Sequence, residues 1–525
     1  LIASIFVGIL VLILSIFRGD AILVDPFHHG EFFAATVGFF PDANPPFHPL
    51  TIHGALDFIP GLFAEYIWGA ENYFLPTLAI YKVLNFFAAI FLILIAYDLT
   101  RYKNHQWLLL LSVTVAAPLF VGYRDLILLI SLYIFLKIND HDTRRNPSVF
   151  LKIFFGIIVA FGMFWSYDRG IAGAFSLGAA FLVLLFRSRQ YAISLVAFVT
   201  TVVGLGQVFK FFSIENYISD IYTLIQTSGE WSYGWKRSPV VLTSFAVIFN
   251  VTAISLLIIE SFKSKSLTEK LPIIICFGFL SIFMLKMGIN RADLPHIYFS
   301  CWIPMLILLF LYEKITDVKM QVAILVSAIL ILSMVLTILL RSYGLAIVTG
   351  ILAFTVLKFK NEFLNKYSIA CFGLLVVSCL GLISYMGLKS ISGGQYTWIK
   401  SLSSPVSNRL SATDGVVWAS DRLKVHAVKC VFDLSNNGVI NGLVRRPSCS
   451  RFTYPVYAGR QHESILIADL RDASPSALVY SSTYWSYNID GRDMRKRFPE
   501  LDKFILKNYS KEECDSGYCV RYKDN

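Results

Sequence analysis

The chain has 525 residues, of which 56% are hydrophobic and 15% charged, with 44 phenylalanines and a formal net charge of +11. A soluble domain carries about 25% charged residues, so this composition excludes a soluble globular enzyme, a disordered chain and a fibrous protein. The apolar excess must face lipid, and there a basic surplus first concerns orientation in the membrane rather than nucleic acid.

Crossing about 30 Å of hydrocarbon takes roughly 17–25 apolar residues. Such runs lie near 1–17, 74–97, 107–121, 125–138, 151–166, 171–186, 191–209, 240–260, 271–286, 297–312, 320–340, 343–358 and 368–388. They predict an α-helical polytopic membrane protein with about thirteen transmembrane helices. The first run is read as a span rather than a cleaved signal peptide. The stretch 49–70, PLTIHGALDFIPGLFAEYIWGA, holds His53, Asp57, Pro60 and Glu65 among its apolar residues. That mixture suits an amphipathic helix at the interface better than a span.

If the first span ends outside, the basic loops TRYKNHQ, NDHDTRRNPS, RSRQ, SFKSKSLTEK, YEKITDVK and KFKNEFLNK all fall inside, as the positive-inside rule requires. The basic surplus then orients the protein, and no nucleic-acid partner is expected. Composition changes at about residue 389, dividing a membrane region (1–389) from a tail (390–525) with 19 Lys/Arg and 14 Asp/Glu. In the tail the β-branched runs GVVWA, AVKCVFDL, SALVYSS and GYCVRY alternate with the helix-like segments QHESILIADLRDA and FPELDKFILKNY. They predict a small α/β domain, placed outside by an odd number of spans.

Cys276, Cys301, Cys371 and Cys379 lie in apolar runs and read as packing. Cys430, Cys449, Cys514 and Cys519 lie in the tail, and four cysteines allow three pairings. The pairs Cys514–Cys519 and Cys430–Cys449 suit an oxidising compartment. A zinc site is the rival, although paired C-x₂-C knuckles are absent from the spacing.

Ionisable groups at the edge of an apolar bundle are costly unless they are paired or functional. Here they gather on the outer side. RGDAILVDPFHHGEFF brings Asp20, Asp25, His28, His29 and Glu31; GYRD brings Arg124 and Asp125; WSYDRG brings Asp168 and Arg169. EWSYGWKRSP adds Lys236 and Arg237, and GINRADLPHIY adds Arg291, Asp293 and His296. Each has an ordinary reading. Arg124/Asp125 and Asp168/Arg169 can satisfy one another or cap helices, interfacial histidines can be simple hydrogen-bonders, and Lys236/Arg237 can meet headgroups. HHGE resembles a metal cluster, but helical zinc motifs place their histidines four residues apart. Together, carboxylates offer a base, while guanidinium and imidazole groups offer a phosphate cradle. Those parts suit transfer of a group from a lipid-linked phosphate to a hydroxyl.

A first span followed by DPFHHGEFF on an outer loop, amphipathic interfacial segments, many spans and a C-terminal extracytoplasmic domain resemble the GT-C superfamily of membrane glycosyltransferases. The resemblance implies a GT-C-like fold with interfacial juxtamembrane helices and an inverting transfer from a polyprenyl-phosphate sugar. It carries the base role onto Asp25, with Glu31 and Asp20 as rivals because the usual adjacent Asp-Glu pair is absent. It makes Arg124 and Asp125 substrate-pocket candidates. Arg291 and His296 are the first choices for the phosphate, then Arg124 and Arg169, with His28, His29, Asp168, Asp293, Lys236 and Arg237 around them. Expected partners are the polyprenyl-phosphate sugar, a glycan, lipid or protein acceptor, and membrane lipids. No cofactor is required, and a divalent cation is allowed without being predicted. The setting would be a bacterial inner or plasma membrane with the site extracytoplasmic and the product a cell-envelope glycan or glycoconjugate. The tail either shapes the acceptor side or is purely structural. An oligosaccharide ligase or protein glycosyltransferase is the nearest alternative. A lipid-linked-sugar flippase is the alternative of another class, but should carry ionisable groups at mid-membrane on broken helices.

Overall fold

The structure, a computed structural model, describes residues 22–39, 49–100, 107–139, 148–208, 214–231, 240–263, 271–290, 294–312, 397–481 and 494–524. The runs at 1–17, 320–340, 343–358 and 368–388 lie outside these residues, as do Asp20, Lys236, Arg237, Arg291 and Asp293.

Two short helices come first, α1 (Gly30–Gly38) and α2 (Ile59–Trp68). The bundle follows with α3 (Phe74–Thr100), α4 (Trp107–Phe120), α5 (Leu126–Ile138), α6 (Val149–Trp165), α7 (Tyr167–Arg187) and α8 (Ala192–Val208). It continues through α9 (Ile214–Trp231), α10 (Val240–Lys263), α11 (Leu271–Asn290), α12 (Leu294–Phe299) and α13 (Trp302–Tyr312). Every expected apolar run within the described residues is helical, but length separates them. Among the described residues, four helices are long and apolar enough to cross a membrane: Phe74–Thr100, Tyr167–Arg187, Arg189–Gln207 and Leu271–Asn290. The 14 residues of α4 and the 13 of α5 rise only about 20 Å, short of the hydrocarbon thickness. Against the expected count of about thirteen spans, the described residues show four helices of spanning length, with Val149–Trp165, Ala246–Phe262 and His296–Tyr312 as shorter apolar helices.

The run at 297–312 is one hydropathy peak but two helices. Pro304 has no N–H for the carbonyl of Ser300, four residues back. That carbonyl instead accepts Asn250 Nδ2 at 3.2 Å, while Ser300 Oγ donates to Ile297 O at 2.7 Å. The chain bends at Ser300–Cys301, and all of α13 is buried. The segment between the expected runs at 191–209 and 240–260 contains α9, which is amphipathic. Ile214, Ile218, Tyr222 and Ile225 are exposed, whereas Tyr217, Asp220, Thr223 and Thr227 are buried. The 49–70 stretch yields α2, whose Phe63, Tyr66 and Ile67 are exposed, the apolar face an interfacial helix presents.

The tail comprises α14 (Thr397–Lys400), α15 (Asp414–Val425), α16 (Gly438–Val444), α17 (Glu463–Ala473), β1 (Ala477–Ser481), α18 (Met494–Arg497), α19 (Pro499–Asn508), β2 (Lys511–Asp515) and β3 (Tyr518–Tyr522). Its antiparallel sheet has the order β1-β3-β2. The turn joining β2 to β3 places Ser516 (φ 49°) and Gly517 (φ 82°) in the left-handed region, the two-residue hairpin geometry that matches strand twist. It sets Cys514 opposite Cys519, and both expected disulfides, Cys430–Cys449 and Cys514–Cys519, are formed. With all four sulfurs so committed, the zinc alternative falls. SALVYSS and GYCVRY are strands as expected. GVVWA is instead the start of α15, and AVKCVFDL makes only the isolated bridges Val431–Ser448 and Asp433–Val479.

The tail shares its core with the first described segment. Val24, Phe33 and Val37 pack with Tyr73, Phe74, Val439, Ile440 and Val520 in one cluster, and Phe27 and Leu50 join Phe432, Tyr454 and Tyr457 in another. α1 and α16 meet at two glycines: a Cβ on Gly438 would collide with Gly30 O and with the Ala34 methyl. Gly438→Ala is therefore expected to cost about 1–3 kcal/mol by overpacking, read as a lower thermal midpoint of the detergent-solubilised protein. An unchanged midpoint would mean that the two helices do not cross so closely.

Candidate active site at one end of the bundle

The turn before α1 is set by Asp25. Its Oδ1 accepts the backbone N–H groups of Phe27 (2.9 Å) and His28 (2.8 Å), an arrangement short polar side chains favour in turns. The backbone N–H of Asp25 donates to His29 Nδ1 at 2.9 Å, so the His29 proton sits on Nε2. His28 Nδ1 lies 3.3 Å from Asp25 Oδ2. Burial opposes charge on Asp25, but His28 and the two amides outweigh it and hold the carboxyl well below the usual range. Burial pushes His29 down to about 4, against the pull of Asp25.

Glu31, one turn on, is the centre of a longer network. Its side chain is 7% exposed and its Oε2 lies 2.7 Å from His53 Nε2. Tyr457 donates its hydroxyl to Oε1, also at 2.7 Å. Arg124 NH1 lies 3.1 Å from His53 Nδ1. Because a guanidinium only donates, Nδ1 accepts and the proton resides on Nε2, aimed at Glu31. Burial disfavours the Glu31 charge, yet His53 and then the Tyr457 hydroxyl overcome it and hold the carboxyl below the ordinary glutamate range.

Local structure places both partners. Trp165 Nε1 donates to Tyr123 O at 2.8 Å, fixing the single 3₁₀ turn Tyr123–Asp125 that carries Arg124. Tyr167 N donates to His53 O at 2.9 Å. Gly54 lies so close to the backbone of Trp165 and Ser166 that no Cβ fits.

Behind this network the adjacent acid–base pairs of the sequence are cross-linked. Arg169 Nε lies 3.0 Å from Asp125 Oδ1, and Asp168 Oδ2 faces Arg124 NH1 at 3.5 Å and Arg169 NH1 at 3.4 Å. Ser166 Oγ donates to Asp168 Oδ1 at 2.7 Å, and Gly122 N donates to Asp125 Oδ2 at 3.0 Å. The Arg169 guanidinium also stands 5.6 Å above the Phe299 ring, which His296 meets edge-on at 6.2 Å. Burial pushes the Asp125 carboxyl up, although Arg169 pulls the other way.

Glu31, His53 and Asp57 line a cleft together with Thr51, Thr453, Tyr454 and Tyr457. Asp57 is buried; the Tyr81 hydroxyl donates to its backbone carbonyl at 2.6 Å and its Oδ1 at 3.1 Å. Burial pushes this carboxyl up to about 6, against His53 and the Tyr81 hydrogen bond.

Of the residues singled out in the sequence, the structure joins Glu31, Arg124, Asp125, Asp168 and Arg169 in one network, with Asp25, His28 and His29 in the adjoining turn. His296 approaches through Phe299. Arg291, Asp293, Lys236 and Arg237 lie outside the described residues. Sequence reasoning missed His53, Asp57, Tyr81 and Tyr457 as site residues. Beside the Asp25 turn, the Lys82 ammonium stands 5.0 Å above the Trp398 ring that His29 meets edge-on at 5.1 Å. His53 and Asp57 carried a readable signal, being ionisable residues inside an apolar stretch. The cleft's carboxylates do not converge into a metal cluster; the one such grouping among the described residues, Glu512 with Cys514 and Cys519, contains a disulfide.

No family model matches this chain, and no curated protein matches it. Solved structures that align with it include ArnT from Cupriavidus metallidurans bound to undecaprenyl phosphate, 12% identical over 99% of this chain and 97% of that one, with a TM-score of 0.46. The archaeal oligosaccharyltransferase AglB from Archaeoglobus fulgidus, in complex with an inhibitory peptide and a dolichol-phosphate, is 10% identical over 99% of this chain and 74% of that one, TM-score 0.48.

Proposed function

We propose that the chain is an inverting glycosyltransferase that moves a sugar from a polyprenyl-phosphate donor to an acceptor hydroxyl at the extracytoplasmic face of a membrane. The observation that carries this reading is Glu31: an ionised carboxylate lining a cleft at the end of an apolar bundle, with guanidinium groups behind it. A phosphate leaves as an anion and needs no general acid, so a base and cations suffice. The acceptor O–H gives its proton to Glu31, its oxygen bonds to the anomeric carbon, and the carbon–oxygen bond to phosphate breaks with its electron pair leaving on phosphate. One displacement inverts the anomeric centre.

Two features favour Glu31 over Asp25 as the base. The Asp25 Oδ1 is taken by two backbone amides, and Asp25 is not among the residues lining the cleft. Each carboxylate oxygen has two lone pairs, so Glu31 can accept from His53 and Tyr457 and still receive the acceptor's proton. Arg124, with Arg291 and His296 as read from the sequence, is assigned to the departing phosphate, and Arg169 shares Asp168 with Arg124 behind it.

The test is the full-length protein in liposomes with a synthetic polyprenyl-phosphate sugar and candidate glycan, lipid and peptide acceptors. Expected products are free polyprenyl phosphate and a glycoside of inverted configuration, identified by NMR. Movement of intact donor between leaflets without bond cleavage would overturn the reading in favour of a flippase. Retained configuration would overturn the single displacement.

A further inference from the structure

The sequence leaves the tail's role open between shaping the site and bracing it. The tail supplies one wall of the cleft, through Thr453, Tyr454 and Tyr457. It also clamps the segment bearing Glu31. Tyr454 donates its hydroxyl to Phe27 O at 2.8 Å and accepts Gly438 N at 3.0 Å, and Leu50 N donates to Arg451 O at 2.8 Å. One contact reaches the carboxylate itself: the Tyr457 hydroxyl on Glu31 Oε1, across 426 residues of sequence.

We infer that the tail completes the active site through Tyr457, a positioning residue whose hydroxyl fixes the Glu31 carboxylate against His53. The inference rests on the reading of Glu31 as the base. A carboxylate turns freely about its last bond, and the single His53 contact leaves that rotation open. The second donor, from the opposite wall, fixes the plane of the carboxylate and hence where its remaining lone pairs point. General-base catalysis depends on that direction as well as on basicity. The tail is held to the bundle from a second side by Asp220, whose Oδ1 accepts Arg451 NH2 at 2.8 Å, and by Glu230, which faces Arg497 NH1 at 3.3 Å. Tyr457 is therefore carried on a docked wall. Its own ring packs against Phe27 at 6.2 Å and Tyr454 at 6.0 Å, contacts that do not need the hydroxyl.

Tyr457→Phe isolates the hydroxyl. The groups facing Glu31 are His53, Tyr457 and His28, with Asp57, Tyr123 and Tyr454 also within electrostatic reach and Arg124 behind His53. The variant changes only one of them. Losing a donor to the charged form raises the carboxyl's pKa, so the acid limb of the kcat–pH profile moves to higher pH. Turnover on the alkaline side falls about tenfold, the weight of one hydrogen bond, with KM for the donor unchanged. A bracing role alone would lower the thermal midpoint or raise KM and leave the acid limb in place, and that result overturns the inference. Glu31→Gln, assayed alongside, separates the two claims. If Glu31→Gln keeps its turnover, the base assignment fails. If Glu31→Gln is inactive while the Tyr457→Phe profile superimposes on the parent's, the role of Tyr457 fails and the base assignment stands.

Discussion

Glu31→Gln is expected to lower turnover by about 10²–10⁴-fold, the usual contribution of a positioned general base, with donor binding retained. The substitution suits its surroundings. The glutamine oxygen can accept from His53 Nε2, and the amide can donate to Tyr457, whose hydroxyl rotates to accept. His53 then keeps its tautomer, and Arg124 still meets an acceptor at Nδ1. A folded protein that binds donor and fails in transfer is the outcome this geometry requires. Asp25→Asn makes the comparison sharp. An asparagine oxygen still takes the amides of Phe27 and His28 that now bond to Oδ1, so its cost in turnover is expected to be at least tenfold smaller than that of Glu31→Gln. The reverse ranking would return the base to Asp25. The pH dependence follows from the direction of the Glu31 shift. Its carboxyl is held below the ordinary glutamate range, so the ionised form persists through that range. The stability its partners give is complete above the unfolded value and is lost as pH falls from there through the depressed folded value.

The sequence announced some of this and concealed the rest for identifiable reasons. Apolar runs mark helices whatever their tertiary role, so α3, α7 and α11 were legible. Hydropathy does not report where a helix stops, and the freed Ser300 carbonyl or the brevity of α5 could not be read from it. GVVWA was misread because Val is β-branched. The longer pattern there, Val416, Ala419 and Leu423 on the buried side of α15, has the helical period that decides the matter. Exposed Ile214, Ile218, Tyr222 and Ile225 in α9 repeat at helical spacing and could have been found the same way. The pairs Arg124/Asp125 and Asp168/Arg169 were visible as pairs, but their cross-linking depends on α7 starting beside the Tyr123–Asp125 turn. Tyr457 was beyond reach altogether: nothing local distinguishes it from the other tyrosines, and its significance comes from a contact made only after the tail docks.

Arg169→Met is the stability counterpart of the Glu31 experiment and is expected to cost about 3–5 kcal/mol, the range for breaking a buried ion pair by removing one partner. The Arg169 and Asp125 side chains are 3% and 2% exposed and 3.0 Å apart, so solvent screens the pair little. Methionine fills much of the volume against Phe299 but leaves Asp125 with the Gly122 amide and no facing cation on that side. Burial already raises this carboxyl, and without Arg169 it rises further above the unfolded value of about 3.9. A raised carboxyl favours the folded state when protonated, so the loss is greatest at neutral pH and shrinks as pH falls toward the unfolded value. Removing both charges, as Arg169→Met with Asp125→Leu, should recover most of the stability at neutral pH, because the cost lies in the orphaned charge more than in the missing attraction. It should not recover transfer. Asp168 now divides itself between Arg124 and Arg169; with Arg169 gone it is left to draw Arg124 alone. The guanidinium that sets the His53 tautomer then moves, and with it the proton aimed at Glu31. A double variant that is both stable and fully active would show that the buried pair is packing only, and that the route from Arg169 through Asp168, Arg124 and His53 to Glu31 carries no catalytic weight.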